Sequence, residues 1–220
     1  MAETDRPASG VFAGLSVAVL ADGDFPSSGP ARAALDSAGA VVCCDGAAAK
    51  LLAAGRVPDL AVGDGDSIPP DAAARMGPRF VPAPDQSRND LAKALDAAFE
   101  RGARGVCVLG AGGGRDDHFI ANVSVVAWHA VRDPGVSMVT AAGRFDAVSG
   151  RRTFDAAPGD TVSVFAFLPG AAPSSTGLRW PLQDACMAQL HAGLSNEVCG
   201  EGGFTVESAV PVLVYRPHRP

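Results

Sequence analysis

The strongest constraint on the fold is an alternation that runs through the first two thirds of the chain. Short, unbroken apolar segments stand at residues 15–20 (LSVAVL), 40–44 (AVVCC), 60–62, 80–81, 106–109 and 136–140, and stretches of helical character separate them. A strand that is apolar along its whole length has both faces buried, as in a parallel sheet covered by helices. The intervening segments predict helices over 31–38, 47–54, 89–101 and 119–132. The clearest is 89–101 (NDLAKALDAAFER), where Leu91, Ala94, Leu95, Ala98 and Phe99 share one face and Gly102 ends the run.

After Gly143 the pattern changes. Residues 161–168 (TVSVFAFL), 204–207 and 212–215 alternate between Gly- and Pro-rich turns with no helical period, which predicts a small all-β domain. The expected organisation is an N-terminal parallel-sheet α/β domain over 13–143 followed by a C-terminal all-β domain over 147–217, with residues 1–12 as a loose leader.

With 47% hydrophobic and 19% charged residues among 220, the chain can bury a sizeable core. Its net charge of −6 argues against a nucleic-acid partner, which calls for a basic face. A phosphorylated small molecule stays compatible if a metal ion supplies the positive charge. The five cysteines (Cys43, Cys44, Cys107, Cys186, Cys199) include no C-x-x-C pair, so neither a disulfide framework nor a structural zinc site is expected, and a reducing cytoplasm fits best. The four histidines show no metal-ligand spacing. Residues 11–21 follow Glu3 and Asp5 rather than a basic segment, so they read as a first strand and not a signal peptide; no run is long enough for a membrane span.

Acids follow these strands with regularity. Asp22 and Asp24 come after the first, Asp45 after the second, Asp64 and Asp66 after the third, Asp85 and Asp90 after the fourth, and Asp116 and Asp117 after the fifth. The carboxyl edge of an open α/β sheet is where ligands bind. Any one of these acids could serve a turn or cap a helix, as Asp90 could before Leu91. As a set they repel one another unless a cation intervenes. Oxygen ligands without His or Cys suit Mg²⁺, which takes one or two carboxylates plus substrate phosphates. The segment GDGDS (63–67) therefore reads as a magnesium bracket for a polyphosphate.

A second stretch, LGAGGGRDDHF (109–119), leaves a strand through glycines and enters a helix, a geometry that presents backbone N–H groups to an anion. It is neither a dinucleotide fingerprint, since Arg115 stands where a third glycine belongs, nor a P-loop. Arg115 supplies a planar fork for phosphate, or alternatively pairs with Asp116 or Asp117 at the surface.

In order along the chain stand CDGAA (44–48), GDGDS (63–67), NDLAKAL (89–95), GGRDDH (113–118), TGLRWPL (176–182) and LSNEV (194–198). Together these resemble the thiamin pyrophosphokinase (thiamin diphosphokinase) family, whose members carry A-D-G-G-A-N, G-D-F-D-S, T-D-x-x-K-A-L, G-G-R-x-D-H, T-G-L-x-W/Y-x-L and S-N-E. The resemblance spans about residues 15–215. It implies a C-terminal β-sandwich, a homodimer with active sites shared across the interface, and Mg²⁺-dependent transfer of a pyrophosphoryl group from ATP to thiamin with release of AMP. On matching positions it implies that Asp45, Asp64, Asp66 and Asp90 hold Mg²⁺ and the triphosphate. Gly46, Gly113, Gly114 and Arg115 would line the ATP site, Asp117 would complete it, and Trp180, Ser195 and Asn196 would receive thiamin. Four positions depart from the family pattern: Ala47, Ala49, Gly65 and Asp116. A pterin pyrophosphokinase, an Mg²⁺-dependent phosphohydrolase with an Asp nucleophile, and a nucleotide- or thiamin-sensing module without turnover are the rival readings.

Overall fold

The computed structural model describes residues 10–183, 187 and 189–219; Cys186 and most of the expected leader lie outside them. The chain divides into two compact units between Gly114 and Arg115.

The first unit is built on five strands: β1 (Val17–Leu20), β2 (Ala40–Cys44), β3 (Leu60–Gly63), β4 (Phe80–Pro82) and β5 (Cys107–Leu109). They lie in the order β5-β1-β2-β3-β4, every pair parallel. β1, β2 and β3 are buried at every position, as their unbroken apolar sequences predict. The helices are α1 (Gly29–Ser37), α2 (Asp45–Ala53), α3 (Pro70–Met76) and α4 (Asp90–Glu100). The predicted face of α4 is buried in full, and Asn89 caps it by accepting the Ala92 N–H at 2.9 Å. α3 was not expected. Pro70 opens it, and Pro at the first helical position loses nothing, because that N–H has no intrahelical partner.

The second unit contains α5 (Asp116–His129) and six strands: β6 (Ser137–Val139), β7 (Gly143–Phe154), β8 (Thr161–Phe165), β9 (Ser174–Thr176), β10 (Asn196–Glu197) and β11 (Phe204–Pro217). They pair antiparallel in the order β10-β8-β11-β7-β6, with β9 also on β11. Val148, Phe154, Val162, Val164, Val206, Val212 and Val214 form its core. The strands expected at 204–207 and 212–215 are one strand, β11, whose pairing with β7 shifts register between Ser208 and Val212. That irregularity is what split the apolar pattern.

The chain is thus a mixed α/β protein. The long strand β7 begins at Gly143 and runs through the expected boundary at 143–147 without interruption. Its Gly150 and its charged residues at 144, 146, 151 and 152 hid it from hydrophobic periodicity. No helix among the described residues is long and apolar enough to cross a membrane.

Candidate active site

At the carboxyl edge of the parallel sheet, β2 passes directly into α2, and this places Asp45 at the first helical position, 1% exposed. β3 ends one residue before Asp64, and the turn that follows folds back over Asp45. The N–H groups of Gly65 and Ser67 donate to Asp45 Oδ2 at 3.0 and 3.2 Å. This approach requires glycine at 63, where a Cβ would lie 2.8 Å from Asp45 Cγ. Gly65, at φ 89°, makes the turn, and its departure from the family's aromatic leaves space that the Phe80 ring borders.

One carboxylate oxygen from each of Asp45, Asp64 and Asp66 falls within 4.8 Å of the others. Asp64 accepts from the Asp66 N–H at 3.2 Å and from the Gln86 side chain, and Ser67 Oγ donates to Asp66 at 2.7 Å. Asp45 Oδ1 is buried with no hydrogen-bond partner among the described residues. Burial pushes the Asp45 carboxyl up; the Ser67 and Gly65 N–H groups oppose this, while the charges of Asp64 and Asp90 add to it. The Gln86 hydrogen bond, the Asp66 N–H and the charge of Lys93 hold Asp64 below the usual carboxylate range. Three hard oxygen donors around an orphaned buried oxygen fit a divalent cation such as Mg²⁺, which satisfies that oxygen and neutralises the set.

Asp90 is not one of the three. It opens α4 and pairs with Lys93 Nζ at 3.0 Å. Lys93 is only 7% exposed, a buried ammonium whose charge reaches Asp64. Sequence reasoning assigned it no role, although a lone lysine between Ala92 and Ala94 on an apolar helix was a visible signal. Gln86 was missed too; nothing in a loop glutamine foretells a carboxylate partner.

The strand order reverses at β1, with β2 on one side and β5 on the other, so the loops after β1 and β5 flank the switch point where α/β sheets bind ligands. The two loops are laced together: Gly23 and Asp24 N–H groups donate to the Gly110 and Gly112 carbonyls, each at 2.8 Å. Gly113, at φ 78°, lies against the Asp24 carboxylate and has no room for a side chain, whereas Gly114 faces open space. Gly46 is packed beneath Asp22, where a Cβ would come 2.7 Å from Cγ. Lys50 Nζ fixes Asp22 by a 2.9 Å ion pair and by donating to the carbonyls of Asp22 and Gly23. Of the departures, Ala47 is fully buried and its methyl belongs to the core; Ala49 is half-buried.

In the second unit, Arg115 and Asp117 form a two-pronged exposed pair at 3.1 and 2.6 Å, which lowers the Asp117 carboxyl. Asp116, at the start of α5, is also exposed. Trp180 is 56% exposed, and the Arg179 guanidinium lies 5.2 Å from its ring centroid. Buried Asn196 holds Trp180 from both sides of its peptide: Nδ2 donates to Trp180 O at 2.6 Å and Oδ1 accepts Trp180 N–H at 3.2 Å. With Oδ1 also taking the Glu197 N–H at 2.9 Å, the carboxamide is committed to the backbone that carries Trp180 and Glu197. Ser195 adopts φ 52°, a left-handed conformation, and its N–H donates to Ser163 Oγ at 3.1 Å.

A model of the family described as "Thiamin pyrophosphokinase, catalytic domain" matches residues 31–139, which include Asp45, Asp64, Asp66, Asp90, Arg115 and Asp117. Several solved structures share the fold. A thiamine pyrophosphokinase from Bacillus subtilis aligns with TM-score 0.72 at 19% identity, over 93% of this chain and 100% of its own. A protein from Lactobacillus plantarum aligns at 0.74 and 23% identity, over 93% and 99%. A thiamin pyrophosphokinase from Candida albicans aligns at 0.71 and 18% identity, over 93% and 90%. No curated protein matches by sequence. Residues 31–139 thus carry the catalytic domain of the thiamin pyrophosphokinase family.

Proposed function

We propose that the protein makes thiamin diphosphate by transferring the terminal pyrophosphoryl group of ATP to the hydroxyl of thiamin, releasing AMP. The observation that carries this reading is the three-carboxylate cluster with its orphaned Asp45 oxygen at the carboxyl edge of the sheet, in a chain of this family.

The substrate hydroxyl attacks the β-phosphorus of ATP, its new O–P bond forming as the bridge to the α-phosphorus breaks and AMP departs. The protein's part is positioning and charge neutralisation. Mg²⁺ held by Asp45, Asp64 and Asp66 would offset charge on the phosphate oxygens. Asp90 contributes through Lys93, which it orients, rather than as a direct ligand. Backbone N–H groups of the glycine loop and the Arg115 fork are proposed for the phosphates. Paired with Arg115, Asp117 is a poor proton acceptor; once Arg115 turns to phosphate, the Asp117 carboxyl rises and can take the hydroxyl proton.

The second unit is proposed as the thiamin-binding β-sandwich. The exposed Trp180 face offers a cation–π platform for the thiazolium, held in place by Asn196, with Ser195 beside it. A homodimer with shared sites fits the apolar side chains that α5 leaves exposed at Ile120 and Trp128.

The test is a product assay with purified protein, Mg²⁺, ATP and thiamin. AMP and thiamin diphosphate appearing in equal amounts support the proposal. ADP would mean ordinary phosphoryl transfer or hydrolysis, and binding without turnover would mean a sensor. Asp66→Asn should abolish product while leaving the fold intact.

A further inference from the structure

Far along the chain from the acidic edge, the second unit concentrates positive charge around one carboxylate. Asp146 on β7 is 1% exposed, and three guanidiniums converge on it. Arg144 Nε reaches Oδ1 at 2.8 Å, Arg152 Nη2 reaches Oδ1 at 3.3 Å, and Arg216 Nη2 reaches Oδ2 at 2.8 Å. One arginine would neutralise Asp146; three leave two positive charges in excess. Arg144 and Arg216 are direct cross-strand partners, a placement that repels. Arg152 is brought in from the far end of β7.

Their remaining donors are only partly committed. Arg144 Nη2 donates to Ser137 Oγ at 3.1 Å and Arg152 Nη1 to the Ala147 carbonyl at 3.2 Å. The guanidinium carbons of Arg152 and Arg216 each lie 4.8 Å from the Phe154 ring centroid, a cation–π contact that helps hold both near Asp146. Arg216 Nε is buried and has no hydrogen-bond partner among the described residues. The side chains are 40%, 42% and 32% exposed, so their outer edges face solvent. Arg216 also borders a cavity of about 470 Å³ whose acids are Asp155 and Asp160, the latter already paired with Arg219 at 2.7 Å.

An excess of two charges and three guanidinium forks gathered on one carboxylate with their outer edges in solvent together describe an acceptor for a compact dianion with several oxygens. We propose that Arg144, Arg152 and Arg216 form a binding site for a phosphate-type oxoanion, separate from the acidic edge, with Asp146 as the counter-charge that keeps the arginines together when the site is empty. The anion is either free phosphate or the phosphate of a phosphorylated small molecule. The inference rests on the second unit alone and stands whether or not the protein makes thiamin diphosphate.

The test is calorimetric titration of inorganic phosphate into the full-length protein at fixed ionic strength set with chloride, with Arg144→Gln, Arg152→Gln and Arg115→Gln as variants. The expected result is a phosphate site about tenfold weaker in Arg144→Gln and in Arg152→Gln, as loss of a charge-assisted hydrogen bond implies, and unchanged in Arg115→Gln. Absence of phosphate binding to the unaltered protein overturns the proposal, and so does a loss confined to Arg115→Gln. Should Arg152→Gln fail to fold, Arg144→Lys decides: it keeps the charge and loses the fork, so undiminished affinity would mean diffuse attraction and not a site. AMP titrated in parallel separates the sources. Equal affinity for AMP and phosphate marks a free-anion site, and tighter AMP binding with the same arginine dependence marks a site for a phosphorylated molecule.

Discussion

Gly63 and Asp45 occupy one shared space: a methyl on Gly63 would press 2.8 Å from the Asp45 carboxyl carbon. Strand β3 can therefore lie this close to the first residue of α2 only with glycine at its last position. Gly63→Ala must push Asp45 out of reach of the Gly65 and Ser67 N–H groups or shift the strand end. We expect a stability loss of about 1–3 kcal/mol, as for overpacking in a core, together with a fall in turnover. Thermal melting and the product assay check both. Unchanged turnover at unchanged melting temperature would mean that the position of Asp45 is not set by this contact.

Lys93 is the buried cation of the acidic edge, and replacing it separates charge from packing. Lys93→Met keeps the apolar stem and removes the ammonium that pairs with Asp90 and acts on Asp64. A more negative edge should hold Mg²⁺ more tightly, while loss of a pre-placed positive charge should lower kcat by about a hundredfold. The check is kcat as a function of Mg²⁺ concentration. A lowered half-saturating Mg²⁺ with lowered kcat supports an electrostatic role; a raised one would mean that Lys93 serves only to shape the metal ligands.

What the sequence disclosed followed from how loudly burial speaks in it. β1, β2 and β3 are buried on both faces and so appear as unbroken apolar runs, and their parallel register brings Asp45 and Asp64 to one edge. That adjacency was legible because an acid directly after a buried strand has one place to go. The partner of Asp90 was not legible: Asp90 and Lys93, three apart on α4, can face either the other acids or each other, and only the packing of α4 decides. β7 was hidden for a related reason. Its charged residues are satisfied by partners distant in sequence, such as Arg216 for Asp146, and local periodicity registers them as solvent-facing. Nothing in the local sequence foretells that Asn196 is buried and spends its carboxamide on the peptide of a tryptophan 16 positions away.

That pairing predicts how the Trp180 region should respond. Asn196→Ala leaves the Trp180 N–H and carbonyl without their partner and frees the ring to reorient. A buried hydrogen-bonding group lost in this way costs about 1–3 kcal/mol. On thiamin kinetics the effect should fall mainly on KM, because Asn196 positions the platform and touches no reacting atom. Trp180→Ala should raise the thiamin KM by at least as much with little change in stability, since the ring is largely exposed. If both variants lower kcat at constant KM, Trp180 is not a thiamin platform.

Asp146 makes the acid response of the second unit predictable in sign. Burial alone would push its carboxyl up, but hydrogen bonds from Arg144 and Arg216 and the charges of Arg144 and Arg152 carry it below the ordinary carboxylate value of 3.8. A carboxyl depressed in the folded state contributes stability that is complete above the unfolded-state value and is lost as pH falls through the folded one. Asp146→Asn keeps the shape and removes the charge, leaving three guanidiniums uncompensated. At neutral pH it should cost about 3–5 kcal/mol, the usual penalty for breaking a buried pair from one side. Below pH 3.8 the unfolded chain takes up a proton at Asp146 while the folded protein still resists it, so the stability that the charge supplies, and with it the gap to the variant, should shrink as the pH falls toward the lower folded-state value. Thermal unfolding of both proteins from neutral pH downward measures that gap directly, and because the other carboxyls titrate alike in the two, the difference isolates Asp146. A gap that stays constant through this range would mean that Asp146 contributes through shape and not through its charge.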